Sequence, residues 1–167
     1  KAYLLPSRIF ENSGTFSLSS GTDVHRDLKL RFLANPTSSH LQETLVGFLA
    51  LVIRRCRAWL FAAHADTLAN RNILWKLVLG RAVDRVENDQ VGILMADILH
   101  AAWIVAGTGG EVGRGACSQA LAKHRSGQTV DDPPEVSVVS ELAAQIYGFV
   151  KSRQFDPRAK NFYLFID

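Results

Sequence analysis

The chain has 167 residues, of which 47% are hydrophobic and 21% are charged. This composition is typical of one globular domain and excludes an intrinsically disordered chain or a disulfide scaffold. The net charge is +3, with 15 basic and 10 acidic residues in positions 1–126 but 4 basic and 6 acidic residues in positions 127–167. That uneven distribution suits either a polyanionic partner or self-association of a basic with an acidic surface.

Residues 1–37 are predicted to form an extended arm that contains a β-hairpin. The segments TFSLSS (15–20) and DLKLRFL (27–33) alternate apolar and polar residues, which is the pattern of a half-buried strand. In the second segment the apolar residues would share one face, with Lys29 and Arg31 on the other. Turn-forming residues lie between the two segments, so they are expected to pair as a hairpin.

Residues 38–154 are predicted to form a helical body. Apolar periodicity and helix-capping residues indicate five helices, over 39–65, 70–87, 89–106, 116–125 and 135–153. The helix over 89–106 is apolar on nearly every side and is therefore expected at the centre. A second arm, 155–167, contains the apolar run FYLFI, which reads as a strand.

The fold class that follows is mainly α. It consists of a bundle-like body of about five helices, a small N-terminal β-hairpin and a C-terminal strand or arm, all in one domain. An unpaired apolar strand at a chain end is an aggregation hazard. The two arms are therefore expected to pair with each other or to mediate self-association.

The segment LVGFLALVIRRCRAWLFAA (45–63) places three arginines within an apolar helix. Because these charges interrupt the longest apolar run, no membrane span or membrane partner is expected. At 100° per residue, Arg54, Arg55 and Arg57 share a side with small and polar residues, namely His40, Glu43, Gly47, Ala50, Ala58 and Ala65. The opposite side collects larger residues and is predicted to face the core: Leu45, Leu49, Val52, Cys56, Trp59 and Ala63.

An arginine cluster among small residues has three interpretations. Arginine binds phosphate and carboxylate bidentately, and small neighbours let a nucleic-acid backbone or a partner helix approach closely. The third interpretation is a solvated cluster whose aliphatic stems pack along the helix. If the surface binds nucleic acid, the predicted binding residues are Arg54, Arg55, Arg57, Arg81 and Arg85, with Lys29, Arg31 and Arg71 secondary.

The sequence contains no convincing catalytic, cofactor or metal motif. GTGGEVGRG (107–115) lacks the Lys-Ser/Thr ending of a phosphate-binding P-loop, so it is predicted to be a helix end followed by a loop. Asp97 and His100 are three apart on the central helix but have no third ligand at a useful spacing. The cysteines, Cys56 and Cys117, also lack metal-site spacing, and their number favours a reducing intracellular compartment or a virion over secretion.

The preferred hypothesis is a non-catalytic assembly protein that binds nucleic acid, RNA rather than DNA, through its phosphates. Coat or nucleocapsid proteins and ribonucleoprotein subunits have this general plan. One alternative is a small helical enzyme or ligand-binding domain, with Asp97, His100 and the 107–115 loop near a pocket. Another is a protein–protein adaptor without nucleic acid.

Overall fold

The computed structural model describes residues 6–81, 90–128, 133–152 and 158. The protein is mainly α, as predicted, with six helices and two small sheets in the described residues. In chain order the elements are β1 (Arg8–Asn12), β2 (Thr15–Ser17), β3 (Asp23–Arg26), α1 (Leu28–Ala34), α2 (Ser39–Ala63), α3 (Ala65–Leu68), β4 (Lys76–Arg81), α4 (Gln90–Gly107), α5 (Arg114–Arg125), β5 (Glu135–Ser140) and α6 (Glu141–Val150).

The first sheet is antiparallel and has the strand order β2-β1-β3. A two-residue turn joins β1 to β2, and both turn residues have positive φ, 49° at Ser13 and 81° at Gly14, as the tightest hairpin turns require. Ile9 and Phe16 are at most 3% exposed and belong to the core. The sheet therefore packs onto the helical body instead of extending away from it.

The prediction of a strand over 27–33 is wrong, because this segment forms α1. Leu28 and Phe32 are buried while Leu30 is 67% exposed. Leu28 and Phe32 are four residues apart and thus share one face of a helix. Leu28, Leu30 and Phe32 are two residues apart, as on one face of a strand, and Leu28 and Phe32 are also four apart, as on one face of a helix. In so short a segment this pattern did not distinguish a strand from a helix.

Helix α2 was predicted well in extent, but its faces were only partly right: Leu45 and Leu49 pack against the core as predicted, whereas other residues are placed the opposite way. Ala50 is fully buried, and a Cβ at Gly47 would lie 2.4 Å from Cδ2 of Phe16. Cys56 and Trp59, predicted to face inward, are exposed. Gly47 and Ala50 were placed outside in the prediction, but they lie inside, where their small size allows β2 and α4 to approach the α2 backbone.

The second sheet overturns two helix predictions. β4 pairs in parallel with β5, from Lys76 opposite Glu135 to Arg81 opposite Ser140. Of the helix predicted over 70–87, residues 76–81 form a strand and residues 82–87 lie outside the described part of the chain. Of the helix predicted over 135–153, residues 135–140 form a strand and residues 141–150 a helix. Valine-rich segments favour strands, and the partner that stabilises each strand lies far away in the sequence.

Helix α4 is the central helix, as predicted, and α5 follows near its predicted bounds. By length and composition α4 is also apolar enough to cross a membrane, with a mean hydropathy of 1.5. Half of its residues are buried inside the protein, which is the environment of a core helix. The predicted C-terminal arm 155–167, including FYLFI, lies outside the described residues except for residue 158.

Candidate functional site

Arg54 lies on the buried side of α2, four residues after Ala50, and reaches the C-terminus of α4. Its Nε donates to the carbonyl of Ala106 at 3.2 Å, and its Nη2 donates to that of Val105 at 2.7 Å and to Oγ1 of Thr108 at 3.4 Å. Nη1 donates to the carbonyl of Gly110 at 2.5 Å. The last carbonyls of a helix lack intrahelical partners and carry partial negative charge, and Arg54 satisfies them.

Arg54 consequently has little capacity left for a ligand. A guanidinium has five N–H donors, and four of them are engaged by the end of α4 and the loop that follows it. The loop predicted at 107–115 is likewise used within the protein, because Phe16 donates to the carbonyl of Val112 and Arg114 donates to that of Gly14.

Arg57 occupies a different environment, against two tryptophan rings. Its guanidinium carbon lies 5.4 Å from the ring centroid of Trp75 and 4.8 Å from that of Trp103. The two rings are themselves 5.6 Å apart. These cation–π contacts hold the guanidinium without a carboxylate partner in the described part of the chain. Its N–H edges are therefore not consumed by an acidic residue there.

Two shallow depressions adjoin at the ring of Phe61, which is 44% exposed. The first has a volume of about 260 Å³ and is lined by Arg54, Arg57, Phe61, Ala106, Gly107 and Gly109. The second has a volume of about 480 Å³ and is lined by Phe61, Arg71, Asn72, Ile73, Leu74, Trp75 and Pro133. We call this surface the arginine–aromatic groove. It brings together cations and aromatic rings.

The structure thus brings three of the eight predicted basic residues to one surface: Arg54, Arg57 and Arg71. Lys29 lies elsewhere, in an ion pair with Glu141. Arg31 and Arg55 are exposed on α1 and α2, and Arg81 ends β4. Arg85 lies outside the described residues.

Sequence reasoning missed the aromatic part of the groove. Trp103 is 9% exposed and belongs to the core, and Trp75 is partly buried against it. Phe61 was not singled out. Its position four residues after Arg57 on the same helix is a usable signal, because residues so spaced share a face.

A second polar cluster fastens the first sheet to α2 and α5. Glu11, only 8% exposed, accepts hydrogen bonds from Nε2 of His25 at 2.8 Å and from Nη2 and Nε of Arg114 at 2.5 and 3.1 Å. Arg114 also pairs with Glu43 at 3.2 Å. Burial raises the pKa of Glu11, but the hydrogen bonds and charges of Arg114 and His25 outweigh it and hold the pKa below its ordinary value.

Asp97 and His100 do not form the pair that their spacing suggested. Asp97 contacts His124 at 3.3 Å and accepts from Arg125 at 3.1 Å. His100 instead stacks on His124, with ring centroids 4.5 Å apart. Burial and the neighbouring His124 lower the pKa of His100 and outweigh the opposite effect of Asp97. Within residues 6–81, 90–128 and 133–152, no three His, Cys, Asp or Glu side chains are grouped to hold a metal ion.

No family model, curated protein or solved structure matches this chain. The chemistry of the groove is therefore the basis from which a function can be inferred. Its two exposed components differ in what they can bind. Arginine offers charge and directed N–H donors to phosphate, whereas an exposed aromatic ring offers a stacking surface.

Proposed function

We propose that the arginine–aromatic groove binds single-stranded nucleic acid, RNA rather than DNA, and that the protein is a non-catalytic component of a nucleic-acid assembly of coat, nucleocapsid or ribonucleoprotein type. The observation that carries the proposal is the combination of Arg57, held on two tryptophans, with Phe61 and Arg71 on one continuous surface. Single-strand binders combine cations along the backbone with rings on which bases stack.

Each side chain has a distinct role in this proposal. Arg57 and Arg71 contact phosphates, and Phe61 stacks on a base. Arg54 supports the groove by fixing the end of α4 and contributes at most one N–H to the ligand. Stacking on an open ring needs an unpaired base, so the groove favours a single strand over a duplex.

Salt dependence and substitution test the proposal together. We expect a labelled oligouridylate of about 15 nucleotides to bind with an affinity that falls as salt rises. Replacing both Arg57→Gln and Arg71→Ala should reduce the slope of log K against log salt by about 1.4, because each lost phosphate contact contributes about 0.7 for a single strand. Phe61→Ala should weaken binding by about tenfold, and Phe61→Tyr should restore it.

Arg31→Ala is the matched control, since it removes the same charge from an exposed position of helix α1. We expect its effect to be small, with thermal melting used to confirm that all variants are folded. Binding that is independent of salt, or that weakens equally in Arg31→Ala and Arg71→Ala, would contradict a localised groove.

Self-association is a separate part of the proposal. Helix α6 exposes an apolar face, with Leu142 at 53%, Tyr147 at 66% and Val150 at 42% exposed. Such an exposed apolar face supports assembly into oligomers. Size-exclusion chromatography with light scattering and an ultraviolet absorbance ratio tests this directly. A monomer free of nucleic acid would count against the assembly role, and a defined small oligomer without nucleic acid would favour the adaptor alternative.

A further inference from the structure

A cavity of about 450 Å³ lies between α1, α2, α4 and β4, away from the arginine–aromatic groove. Its volume is within the range of pockets that hold small molecules. Leucine, phenylalanine and isoleucine side chains form most of its lining, among them Leu45, Phe48, Leu49 and Ile98. The polar or charged side chains in the lining are few: Ser7, Asp27, Lys29 and Glu141. None of these residues lines the groove.

Three charged residues line the cavity: Asp27, which is exposed to solvent, and Lys29 and Glu141, which form an ion pair with each other. The two paired side chains are 35% and 34% exposed, so they lie at the boundary between the cavity and solvent. Glu141 also lies directly against Gly80, where an added Cβ would be 2.8 Å from its Cγ. The absence of a side chain at position 80 therefore gives Glu141 the room to reach Lys29.

We propose that this cavity binds an uncharged, largely aliphatic small molecule with one hydroxyl group. The aliphatic part contacts the leucine, phenylalanine and isoleucine walls, and the hydroxyl lies at the Lys29–Glu141 pair. A carboxylate ligand would have to displace Glu141 from Lys29. An ammonium ligand would have to displace Lys29 from Glu141 or bind exposed Asp27, where water screens the attraction. A hydroxyl can accept from Lys29 and donate to Glu141 while the ion pair is kept.

The binding test uses Nile red, an uncharged dye whose fluorescence rises in apolar surroundings, with the full-length protein. We expect saturable binding that 1-dodecanol reverses at least tenfold more effectively than dodecanoate or dodecylamine. Leu49→Trp should fill the cavity and weaken dye binding at least tenfold. Leu60→Trp is the matched control, because Leu60 is on the same helix but does not line the cavity, and it should bind within about twofold of the wild type.

Circular dichroism melting confirms folding of both tryptophan variants, and the smaller change Leu45→Phe replaces Leu49→Trp if the latter does not fold. The proposal is overturned if Nile red shows no saturable binding, if the cavity and control variants bind equally, or if either charged amphiphile competes as well as the alcohol. Oligonucleotide binding should be unchanged in Leu49→Trp, so failure at this cavity is distinguishable from failure at the groove.

Discussion

Replacing Glu11 by glutamine should destabilise the protein by removing the charge on which the second polar cluster is organised. Glutamine keeps the size of the side chain but presents an NH₂ group where a carboxylate oxygen accepted a hydrogen bond. Arg114 would then keep only Glu43 as an acidic partner among the contacts described above. The substitution therefore leaves a partly buried guanidinium with one of its two counter-charges.

The magnitude follows from the bonds that change. Glu11 accepts two bonds from Arg114 and one from His25, and a hydrogen bond to a charged group contributes about 1.5–3 kcal/mol. Because Arg114 is 25% exposed, solvent screening reduces its share, and glutamine retains part of the bonding. We expect a loss of about 2–3 kcal/mol in the free energy of unfolding at neutral pH.

The loss should depend on pH in a defined direction. The pKa of Glu11 in the folded protein is below its ordinary value of 4.5, so its stabilising contribution is complete well above that pH. It declines as pH falls through 4.5 towards the folded-state pKa, because the unfolded state takes up a proton first. The difference between the wild type and Glu11→Gln should therefore be largest at neutral pH and shrink under acid.

Urea denaturation followed by tryptophan fluorescence measures this difference, with a parallel series from neutral to acidic pH. Glu111→Gln is the matched control, since Glu111 is exposed, and it should change the free energy of unfolding by less than about 0.5 kcal/mol. A change in Glu11→Gln as small as in this control, or one that grows on acidification, would refute the reasoning.

Three further outcomes are expected. Arg54→Ala should lower the unfolding free energy by about 2–3 kcal/mol, because the end of α4 loses its donors; Arg54→Lys should recover only part of this in denaturant titrations. Gly47→Ala should cost about 1–3 kcal/mol by the same assay, because its Cβ meets Phe16; unchanged stability would show that the ring moves aside freely. A thiol reagent should modify Cys56 quickly and Cys117 only on unfolding, since Cys56 is exposed and burial raises the pKa of Cys117 to about 12; equal rates, measured by mass spectrometry, would contradict this.

The success of the sequence prediction depended on whether the deciding information was local. Helix α4 was recognisable because its apolar residues surround the axis, and α5 because a glycine-rich segment marks its start. β4 was not recognisable, since its valine and leucines fit a helix until β5 is known to lie beside it. Lys76 and its partner Glu135 are 59 residues apart, so the residue pattern within a single element does not reveal that they pair.

The faces of α2 illustrate a different difficulty. Helical periodicity gave the angle between its two sides but not how far burial extends onto the side with small residues, because small and large apolar residues can both be buried. Gly47 and Ala50 are buried because β2 and α4 pack against them. Arg54 lies on the same side of α2 and therefore also faces the interior. The role of Arg54 depends on where α4 ends in space, which no spacing within α2 reveals.

The parallel pairing of β4 and β5 has a kinetic consequence. Parallel strands need a long connecting segment, and here that segment contains α4 and α5. Bringing its two ends together costs chain entropy before any hydrogen bond between β4 and β5 forms. Trp75 immediately precedes β4, and its carbonyl accepts from Glu135 at the start of β5. Trp75 therefore takes its place in the groove only when β4 and β5 pair, late in folding. A nascent chain in which these strands have not yet paired would expose Arg57 and Phe61 without Trp75 beside them.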